Sequence, residues 1–290
     1  MPELPEVETI ANGLHKRVAG DRIESVWVGS KPEPLKSSAA EIVRALEGAK
    51  VARVRRVGKH IVFDLQRKDL QRKDLQREDL QREDLQREKG AEVCQWIVHL
   101  GMTGRMLVAA PEMELPPHTH LVAKLASGRE LRFVDPRRFG RLEIRESNFS
   151  GPGAEPLQIS AEDFAGLFHG SKAPIKAALL NQKLLHGVGN IYADESLFRS
   201  RIRPRRRANS LTQLELRKLH AALQKVLKAA IAAGGSSISD YVDADGEAGY
   251  FQIQHRAYGR EGKPCMVCKT PIKKIVLAGR GTHYCPNCQK

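Results

Sequence analysis

The sequence predicts an α+β fold with more than one domain, and three observations support this prediction. One amphipathic helix precedes eight short β-like segments without intervening helices, which indicates an N-terminal β-sandwich or barrel. The second half of the chain has helical periodicity. Four of the five cysteines lie in two pairs near the C-terminus. A chain of 290 residues is long enough for two compact domains and a small appendage.

The N-terminal helix is predicted over residues 5–18, where Val7, Ile10, Leu14 and Val18 recur at a spacing of three to four residues. The β-like segments that follow are separated by glycine, proline and polar turns. They cover residues 23–28, 51–57, 61–65, 95–100, 105–108, 121–125, 130–134 and 141–144. The remaining cysteine, Cys94, lies in an apolar run, which predicts a core position.

Residues 64–88 are five tandem copies of a five-residue unit, DLQRK twice and DLQRE three times. Leucines five residues apart rotate by about 140° per step around an α-helix, so they build no apolar face. The period also fits a strand poorly. We therefore expect a solvated insertion in a loop between two strands, without a function of its own.

A shift in composition at residues 147–156 marks a predicted domain boundary, and helical patterns follow it. Three helices are predicted there, at 159–167, 174–185 and 211–233. Ser210 and Gln213 form a candidate capping box for the last one, which Gly234 ends. Residues 234–249 are predicted to form a mobile loop. The predicted domains are 1–148, 149–260 and 261–290.

The balance of charge indicates a polyanionic partner. Lysine and arginine number 48 against 34 acidic residues, a formal net charge of +14, and the basic residues cluster along the chain. Nucleic acid is the favoured partner, although a basic housekeeping or ribosome-associated protein has a similar balance. No apolar run is long enough to span a membrane, and the N-terminus lacks the layout of a secretory signal. We expect a soluble, cytoplasmic protein.

The C-terminal cysteines have the spacing of a zinc site. Two CxxC pairs are separated by sixteen residues and consist of Cys265, Cys268, Cys285 and Cys288. Four thiolates leave no open coordination position, so one structural Zn²⁺ is expected. Lys273, Lys274, Arg280 and His283 lie between the pairs, which suggests a basic hairpin that contacts phosphates. A zinc ribbon that contacts proteins remains an alternative.

The chain begins Met1-Pro2-Glu3. Removal of Met1 would leave a secondary amine on Pro2, and an α-amine has a pKa of about 7.7–8.0 against about 10.4 for lysine. Such an amine can attack an electrophilic carbon and form an iminium, as a lysine Schiff base does. Glu3 adds a carboxyl group that could transfer protons. Taken alone, this start is also common in unrelated proteins.

Three loop motifs combine glycine with polar or apolar side chains: HLGMTG at 99–104, DPRRFG at 135–140 and HGVGNIY at 186–192. Glycines in the last motif would let backbone N–H groups approach a phosphate, and Asn190 would add a donor. Met102 between glycines suggests a core residue or a wedge into a base stack. Taken alone, each motif is better explained as an ordinary turn.

Together these motifs resemble the formamidopyrimidine-DNA glycosylase family, bacterial enzymes that excise oxidised purines. The resemblance covers the whole chain except the repeat. It rests on seven motifs in one order: MPELPEVET, RRVGKHI, HLGMTG, DPRRFG, GVGNIYADESLF, GYFQIQHRAYG and the terminal CxxC…RGTHYCPNC. The resemblance implies an N-terminal β-sandwich with an N-terminal helix, a helix–two-turn–helix domain and a zinc finger. It also implies a protein that acts on double-stranded DNA containing oxidised bases. The sequence shows no obvious oligomer interface, so a monomer is expected.

The resemblance implies four catalytic residues. Pro2 would be the nucleophile that attacks C1′ of the damaged nucleotide, and Glu3 the general acid and base. Lys59 would donate a proton associated with β-elimination. Arg280 would bind the phosphates of the flipped-out nucleotide and assist δ-elimination.

The resemblance further implies a set of DNA contacts. Asn190 and Lys176 would hold phosphates, and His118 is a further candidate. Met102, Arg137 and Phe139 would fill the space left by the extruded base. Two alternatives stay open: an enzyme for oxidised pyrimidines like endonuclease VIII, and a zinc-containing DNA-binding protein without catalysis.

Overall fold

The computed structural model describes residues 1–67, 94–236 and 249–290, which divide into two compact units. The first unit holds described residues 1–2, 7–67 and 94–150, and the second holds 3–6, 151–236 and 249–290. Helix α1 (Leu4–Val18) therefore contributes its first residues to the second unit and the others to the first. Within these ranges, no helix has the length and apolarity needed to cross a membrane.

The first unit contains two antiparallel four-stranded sheets, which confirms the predicted N-terminal helix and sheets. Their strand orders are β1-β6-β7-β5 and β2-β3-β4-β8. The strands are β1 (Ile23–Val28), β2 (Lys50–Val57), β3 (His60–Gln66), β4 (Cys94–His99), β5 (Arg105–Ala109), β6 (Thr119–Leu125), β7 (Glu130–Val134) and β8 (Arg141–Arg145). All eight agree with the predicted segments to within two residues at either end.

The core of the first unit is built from the apolar face of α1 and from inward-facing strand residues. The helix residues predicted to form that face, among them Val7 and Leu14, are fully buried. Phe63 and Trp96 stack with ring centroids 4.7 Å apart on neighbouring strands. Cys94 is buried in the same core, as expected. Burial of this kind stabilises each large side chain by about 1.5–3 kcal/mol.

The structure corrects the sequence analysis at two places in the first unit. Helix α2 (Ala39–Leu46) was not predicted, although Ser38 and Glu41 form a complete capping box. The repeat begins as part of strand β3, because Asp64 is held by Arg55 at 2.8 and 3.2 Å and by Gln95 at 2.6 Å. Residues 68–93 of the repeat and its flank lie outside the described residues, so the prediction of a solvated insertion there stays a prediction.

The second unit is helical and ends in a small hairpin. Its further helices are α3 (Ala161–Gly166), α4 (Ile175–Leu179), α5 (Asn190–Arg199) and α6 (Gln213–Ala232), and the hairpin pairs β9 (Lys273–Leu277) with β10 (Arg280–Tyr284). Leu4 joins the core of this unit together with Tyr192 and the apolar face of α6. The hairpin confirms the element expected between the two cysteine pairs.

Two predicted helix boundaries in this unit are wrong. The helix expected over 174–185 ends at Leu179, because Asn181 forms an Asx turn in which its side chain accepts from the Lys183 N–H. The long helix is capped by Thr212 and Glu215, not by Ser210 and Gln213. Its end at Gly234, whose φ is +73°, is as predicted. Residues 237–248 of the predicted mobile loop lie outside the described residues.

Candidate active site and nucleic-acid interface

The Glu3 carboxylate lies at the N-terminus of helix α5. Glu3 is 5% exposed, and the Ile191 backbone N–H donates to its Oε1 at 3.2 Å. The first amides of a helix have no partner within the helix, and the helix dipole favours negative charge there. The sequence suggested this glycine-rich turn as a phosphate site. In the structure the Ile191 amide is engaged by a carboxylate of the protein itself.

Gly189, the N-cap of α5, provides the space for this contact. A Cβ placed on Gly189 would lie 2.1 Å from Cδ of Glu3 and about as close to both carboxylate oxygens, at 2.4 and 2.5 Å. The φ of Gly189 is −130°, so its backbone conformation is open to any residue. Glycine is therefore required here because the Glu3 carboxylate approaches its Cα closely, and not because the backbone conformation excludes other residues.

Glu6 is a second buried carboxylate in the same neighbourhood, and the sequence analysis missed it. It accepts hydrogen bonds from the backbone N–H groups of Glu3 and Ser236, each at 2.8 Å, and from the Tyr192 hydroxyl. Burial raises the pKa of Glu6, and these hydrogen bonds oppose the rise. The available signal was an acidic residue three positions after Glu3 in the first turn of a helix.

Lys176 is fully buried in an ion pair with Asp194, at 2.7 Å between Nζ and Oδ1. Its Nζ also donates to the Gly281 carbonyl at 3.0 Å and to Thr282 Oγ1 at 2.8 Å. Nζ therefore donates to two oxygens and has the Asp194 carboxylate at ion-pair distance. Burial lowers the pKa of Lys176, and Asp194 opposes that effect. A phosphate contact by Lys176, as the resemblance implied, would have to replace one of these three partners.

Helix α5 contacts strand β10 of the β9–β10 hairpin, beyond the hairpin turn at Ala278 and Gly279, through further polar contacts. The Asn190 side chain donates to the Gly281 carbonyl at 3.0 Å. Asp194 Oδ2 accepts from the His283 backbone N–H at 2.8 Å. Arg280, next to this turn, is exposed and forms no ion pair with any described residue. Its charge therefore remains available to an external anion.

Lys59 occupies the turn between β2 and β3. Gly58, with φ +59°, allows the tight connection, and the Arg56 side chain donates to its carbonyl at 3.2 Å. Lys59 is only 7% exposed, an unusual position for a lysine that invites a functional explanation. Pro2 is also buried, while Met1 is 47% exposed.

Asp135 joins the HLGMTG and DPRRFG loops in the first unit. It is fully buried and accepts hydrogen bonds from the Thr103 hydroxyl at 2.6 Å and from the Gly140 N–H at 2.7 Å. The two loops are in direct contact, since a Cβ on Gly101 would lie 2.5 Å from the Phe139 backbone. The sequence analysis did not assign a role to Asp135. An aspartate that opens a turn before proline was the available signal.

These two loops present the side chains that the resemblance assigned to the base stack. Met102 is 43% and Phe139 50% exposed, and the Arg137 guanidinium lies 4.8 Å from the centroid of the Phe139 ring. His118 is exposed on a separate turn, with φ +65°. Exposed apolar side chains next to an arginine suit contact with bases.

The four C-terminal cysteines form the predicted metal centre. Their sulfur atoms lie within 4.8 Å of one another, with Cys265 to Cys288 at 3.9 Å and Cys268 to Cys285 at 3.4 Å. Tetrahedral Zn²⁺ with Zn–S bonds of about 2.3 Å requires sulfurs about 3.8 Å apart. The donor set therefore fits zinc, and four protein ligands make the site structural.

A β-sandwich unit, a helical unit with buried carboxylates at a helix N-terminus, and a basic zinc hairpin together define a zinc-finger protein of the DNA-processing class. Family profiles match three stretches of the chain. They describe the formamidopyrimidine-DNA glycosylase N-terminal domain (residues 1–142), the formamidopyrimidine-DNA glycosylase H2TH domain (151–242) and a zinc finger found in FPG and IleRS (262–290).

Curated relatives and solved structures agree with these profiles. Formamidopyrimidine-DNA glycosylases of Desulfitobacterium hafniense and Thermus thermophilus are 41% and 42% identical, covering all of this chain and 100% and 98% of theirs. The Thermus thermophilus MutM (FPG) structure has a TM-score of 0.80 at 39% identity, covering 99% of this chain and 98% of its own. A Lactococcus lactis FPG mutant bound to Fapy-dG DNA has a TM-score of 0.83 at 30% identity, with both chains fully covered. The chain belongs to the formamidopyrimidine-DNA glycosylase family.

Proposed function

We propose that this chain is a bifunctional DNA glycosylase and AP lyase of base excision repair that removes 8-oxoguanine and formamidopyrimidines from duplex DNA. The observation that carries the proposal is the Glu3 carboxylate, adjacent to Pro2 and bound by the Ile191 amide. Similar proteins have been crystallised with DNA containing Fapy-dG and carbocyclic 8-oxo-G, which supports the substrate class.

In the proposed reaction the Pro2 amine, freed by removal of Met1, attacks C1′ and the bond between C1′ and the damaged base breaks. The base leaves with the bonding electron pair and takes a proton from water. Glu3 accepts the proton that the Pro2 nitrogen loses and passes it to the ring oxygen. The bond between C1′ and that oxygen then breaks, so the sugar opens and an iminium forms between Pro2 and C1′. The iminium acidifies the C2′ hydrogens. Loss of one expels the 3′ phosphate, and a second elimination expels the 5′ phosphate. A water-activating carboxylate alone would remove the base without cleaving the strand.

The other predicted residues complete this scheme. Lys59 supplies the proton associated with β-elimination, and the exposed guanidinium of Arg280 binds the phosphates of the flipped-out nucleotide. Met102, Arg137 and Phe139 fill the stack after the base leaves, at a cost of a few kcal/mol for unstacking. Asn190, Lys176 and His118 are the proposed further DNA contacts. Zn²⁺, when bound, holds the two cysteine turns together and so fixes the hairpin that carries Arg280.

Borohydride trapping tests the proposal. Native protein incubated with a duplex containing 8-oxoguanine should give a covalent protein–DNA adduct after reduction. Pro2→Gly should abolish the adduct and Glu3→Gln should reduce it strongly, whereas Glu24→Gln, an exposed carboxylate of the first unit, should match the native protein. Intact mass should show that Met1 is absent. An undiminished adduct from Pro2→Gly would exclude the proposed nucleophile.

A second candidate activity is excision of oxidised pyrimidines. The wild-type Lactococcus lactis Fpg has been crystallised with DNA containing an oxidised pyrimidine, and it is 30% identical to this chain. Parallel excision from duplexes with 8-oxoguanine and with an oxidised thymine would rank the two activities. A DNA-binding protein without catalysis would bind both duplexes and give no adduct with either.

We further propose that the chain works as a monomer in the cytoplasm, associated with the nucleoid through DNA, and that it is organised as domains 1–148, 149–260 and 261–290. The DNA substrate supports the location. Size-exclusion chromatography with light scattering would measure the oligomeric state.

A further inference from the structure

A cleft of about 400 Å³ lies at the C-terminal end of α5, between that helix, α6 and the first cysteine turn. None of the residues proposed for catalysis or DNA contact lines it. Helix α5 has ten residues and is therefore about 15 Å long. Asn190 and the Glu3 carboxylate lie at its first turn, whereas Arg199 lies at its last. The cleft is thus at the opposite end of the helix from the proposed reaction centre.

The cleft carries positive charge that the described residues neutralise only in part. Arg199, Arg201, Lys225 and Arg256 line it. Arg201, Lys225 and Arg256 are exposed, and none forms an ion pair with any residue in the described part of the chain. Arg199 forms an ion pair with Glu195, at 3.9 Å.

The Glu195 carboxylate is itself largely committed to the backbone. It accepts hydrogen bonds from the N–H groups of residues 256–258 at 2.8–3.1 Å. Within the described residues, Arg199 is therefore the one cationic side chain of the cleft that has a carboxylate at ion-pair distance. An incoming carboxylate would gain charge-assisted hydrogen bonds without displacing an existing partner of Arg201, Lys225 or Arg256.

Part of the cleft is apolar. Phe198 and two alanines of α6 line it, and Val267 stands at its edge on the cysteine turn. Val267 is 56% exposed, and the adjacent Met266 is 49% exposed. Exposed apolar side chains beside arginines are typical of protein–protein interaction sites. The volume lies in the range of pockets that bind small ligands or a short segment of chain, and it is too confined for a duplex.

We propose that this cleft binds an acidic peptide segment of a partner protein. Its carboxylates would pair with Arg201, Lys225 and Arg256, and an apolar side chain of the same segment would pack against Ala221 and Val267. A phosphate backbone would satisfy the cations but would leave the apolar lining without a partner. The combination of charge and apolar surface therefore favours a peptide over nucleic acid. The proposal does not depend on the proposed reaction.

Fluorescence anisotropy with the zinc-loaded full chain tests the proposal. The probe is a fluorescein-labelled peptide, Asp-Asp-Leu-Asp-Asp-Phe, in about 150 mM salt, where weak surface electrostatics are screened. We expect saturable binding that weakens by about tenfold or more in the Lys225→Glu/Arg256→Glu protein. Lys16→Glu/Arg53→Glu, which changes two exposed charges of the first unit equally, should bind within about twofold of the native protein. A peptide with glycine in place of leucine and phenylalanine should bind several-fold more weakly.

Three outcomes would overturn the proposal. One is the absence of saturable binding at this salt concentration. Another is equal weakening in the Lys16→Glu/Arg53→Glu protein, which would indicate attraction by net charge alone. The third is competition by an undamaged duplex whose own binding is reduced by Lys225→Glu/Arg256→Glu, which would make the cations a DNA contact. Circular dichroism and 8-oxoguanine excision of the same variants check folding and the reaction centre separately.

Discussion

The Glu3 carboxylate occupies the space that a side chain on Gly189 would need. Its Cδ lies 2.1 Å from the position of a Cβ on that glycine, and the carboxylate accepts from the Ile191 N–H two residues further along. The helix N-terminus thus fixes the orientation of the Glu3 carboxylate. This contact explains why the second glycine of the GVGN motif, Gly189, has no side chain.

Gly189→Ala should therefore inactivate the protein while leaving it folded. The methyl group would displace the Glu3 carboxylate from the helix N-terminus, and a misplaced acid–base group costs about 100-fold in rate. Single-turnover excision of 8-oxoguanine measures the effect. Gly166→Ala is the matched control, because a Cβ there meets nothing within 4 Å and the φ of Gly166 lies outside the left-handed region that favours glycine. Activity of Gly189→Ala within a few-fold of Gly166→Ala would contradict the assigned role.

Asp135→Asn should impair base excision more than cleavage at an existing abasic site. Asp135 joins the loops that carry Met102 and Phe139, and these side chains are needed to replace an extruded base. We expect a loss of about tenfold or more in 8-oxoguanine excision, with a smaller effect on an abasic duplex. Thr103→Ser keeps the hydroxyl that donates to Asp135 and should excise 8-oxoguanine as the native protein does. Thr103→Val lacks this hydroxyl and should show the same kind of loss as Asp135→Asn. Equal losses on both duplexes would indicate a general folding defect instead.

The Lys176–Asp194 pair should contribute strongly to stability. Asp194→Asn leaves a buried ammonium without its carboxylate, which costs about 3–5 kcal/mol of unfolding free energy. The Lys176→Met/Asp194→Asn protein should lose less than the sum of its single substitutions, with a coupling of about 1–3 kcal/mol. Urea unfolding measures both quantities. The exposed pair Arg217–Glu162, at 3.4 Å, is the control and should couple by less than about 1 kcal/mol. Additive effects at 176 and 194 would exclude the coupling.

His255 should make stability depend on pH between about 6.5 and about 4. Burial and then Arg199 lower the pKa of His255 from 6.5 to about 4. In that window the unfolded chain binds a proton that the folded chain does not, so stability falls as pH falls. In His255→Gln the unfolding free energy should lose this part of its pH dependence, which amounts to at most about 2 kcal/mol. The value is limited because solvent still reaches part of the ring. The unfolding free energies of the native protein and of His255→Gln are measured at pH 7 and at pH 4.5, and the difference between the two proteins is compared at the two pH values. A difference independent of pH would contradict the prediction.

Removal of zinc should disorder the C-terminal hairpin and weaken DNA binding. Structural zinc in small modules contributes about 10–16 kcal/mol, more than a segment of this size gains from its own core. Chelation under denaturing conditions should release one Zn²⁺ per chain, measured with a colorimetric indicator. Cys268→Ser should lower both zinc content and affinity for an abasic duplex, whereas Cys94→Ser, in the core of the first unit, should keep its zinc. If the zinc-free protein bound DNA with full affinity, zinc would not be needed to hold the hairpin in place for DNA binding.

Local pattern predicted the regular elements well. The spacing of Val7, Ile10, Leu14 and Val18 gave the correct face of α1, and the alternation of short apolar runs gave the strands. Capping was harder, because Ser210–Gln213 and Thr212–Glu215 both fit the capping pattern. Glu215 is the one that Arg206 binds, and this contact lowers its pKa to about 2. A nine-residue separation across a turn leaves no periodic signal in the sequence.

The sequence by itself determined the metal ligands, the order of the motifs and the fold class, since each depends on spacing along the chain. Only the tertiary structure showed that Glu6 meets Ser236, that Asp135 meets Thr103, and that Lys176 is enclosed by Asp194 and strand β10 at Gly281. These contacts join residues from 18 to 230 positions apart. Their partners are selected by the packing of helices and loops, because a buried polar group must find a hydrogen-bond partner wherever the fold supplies one.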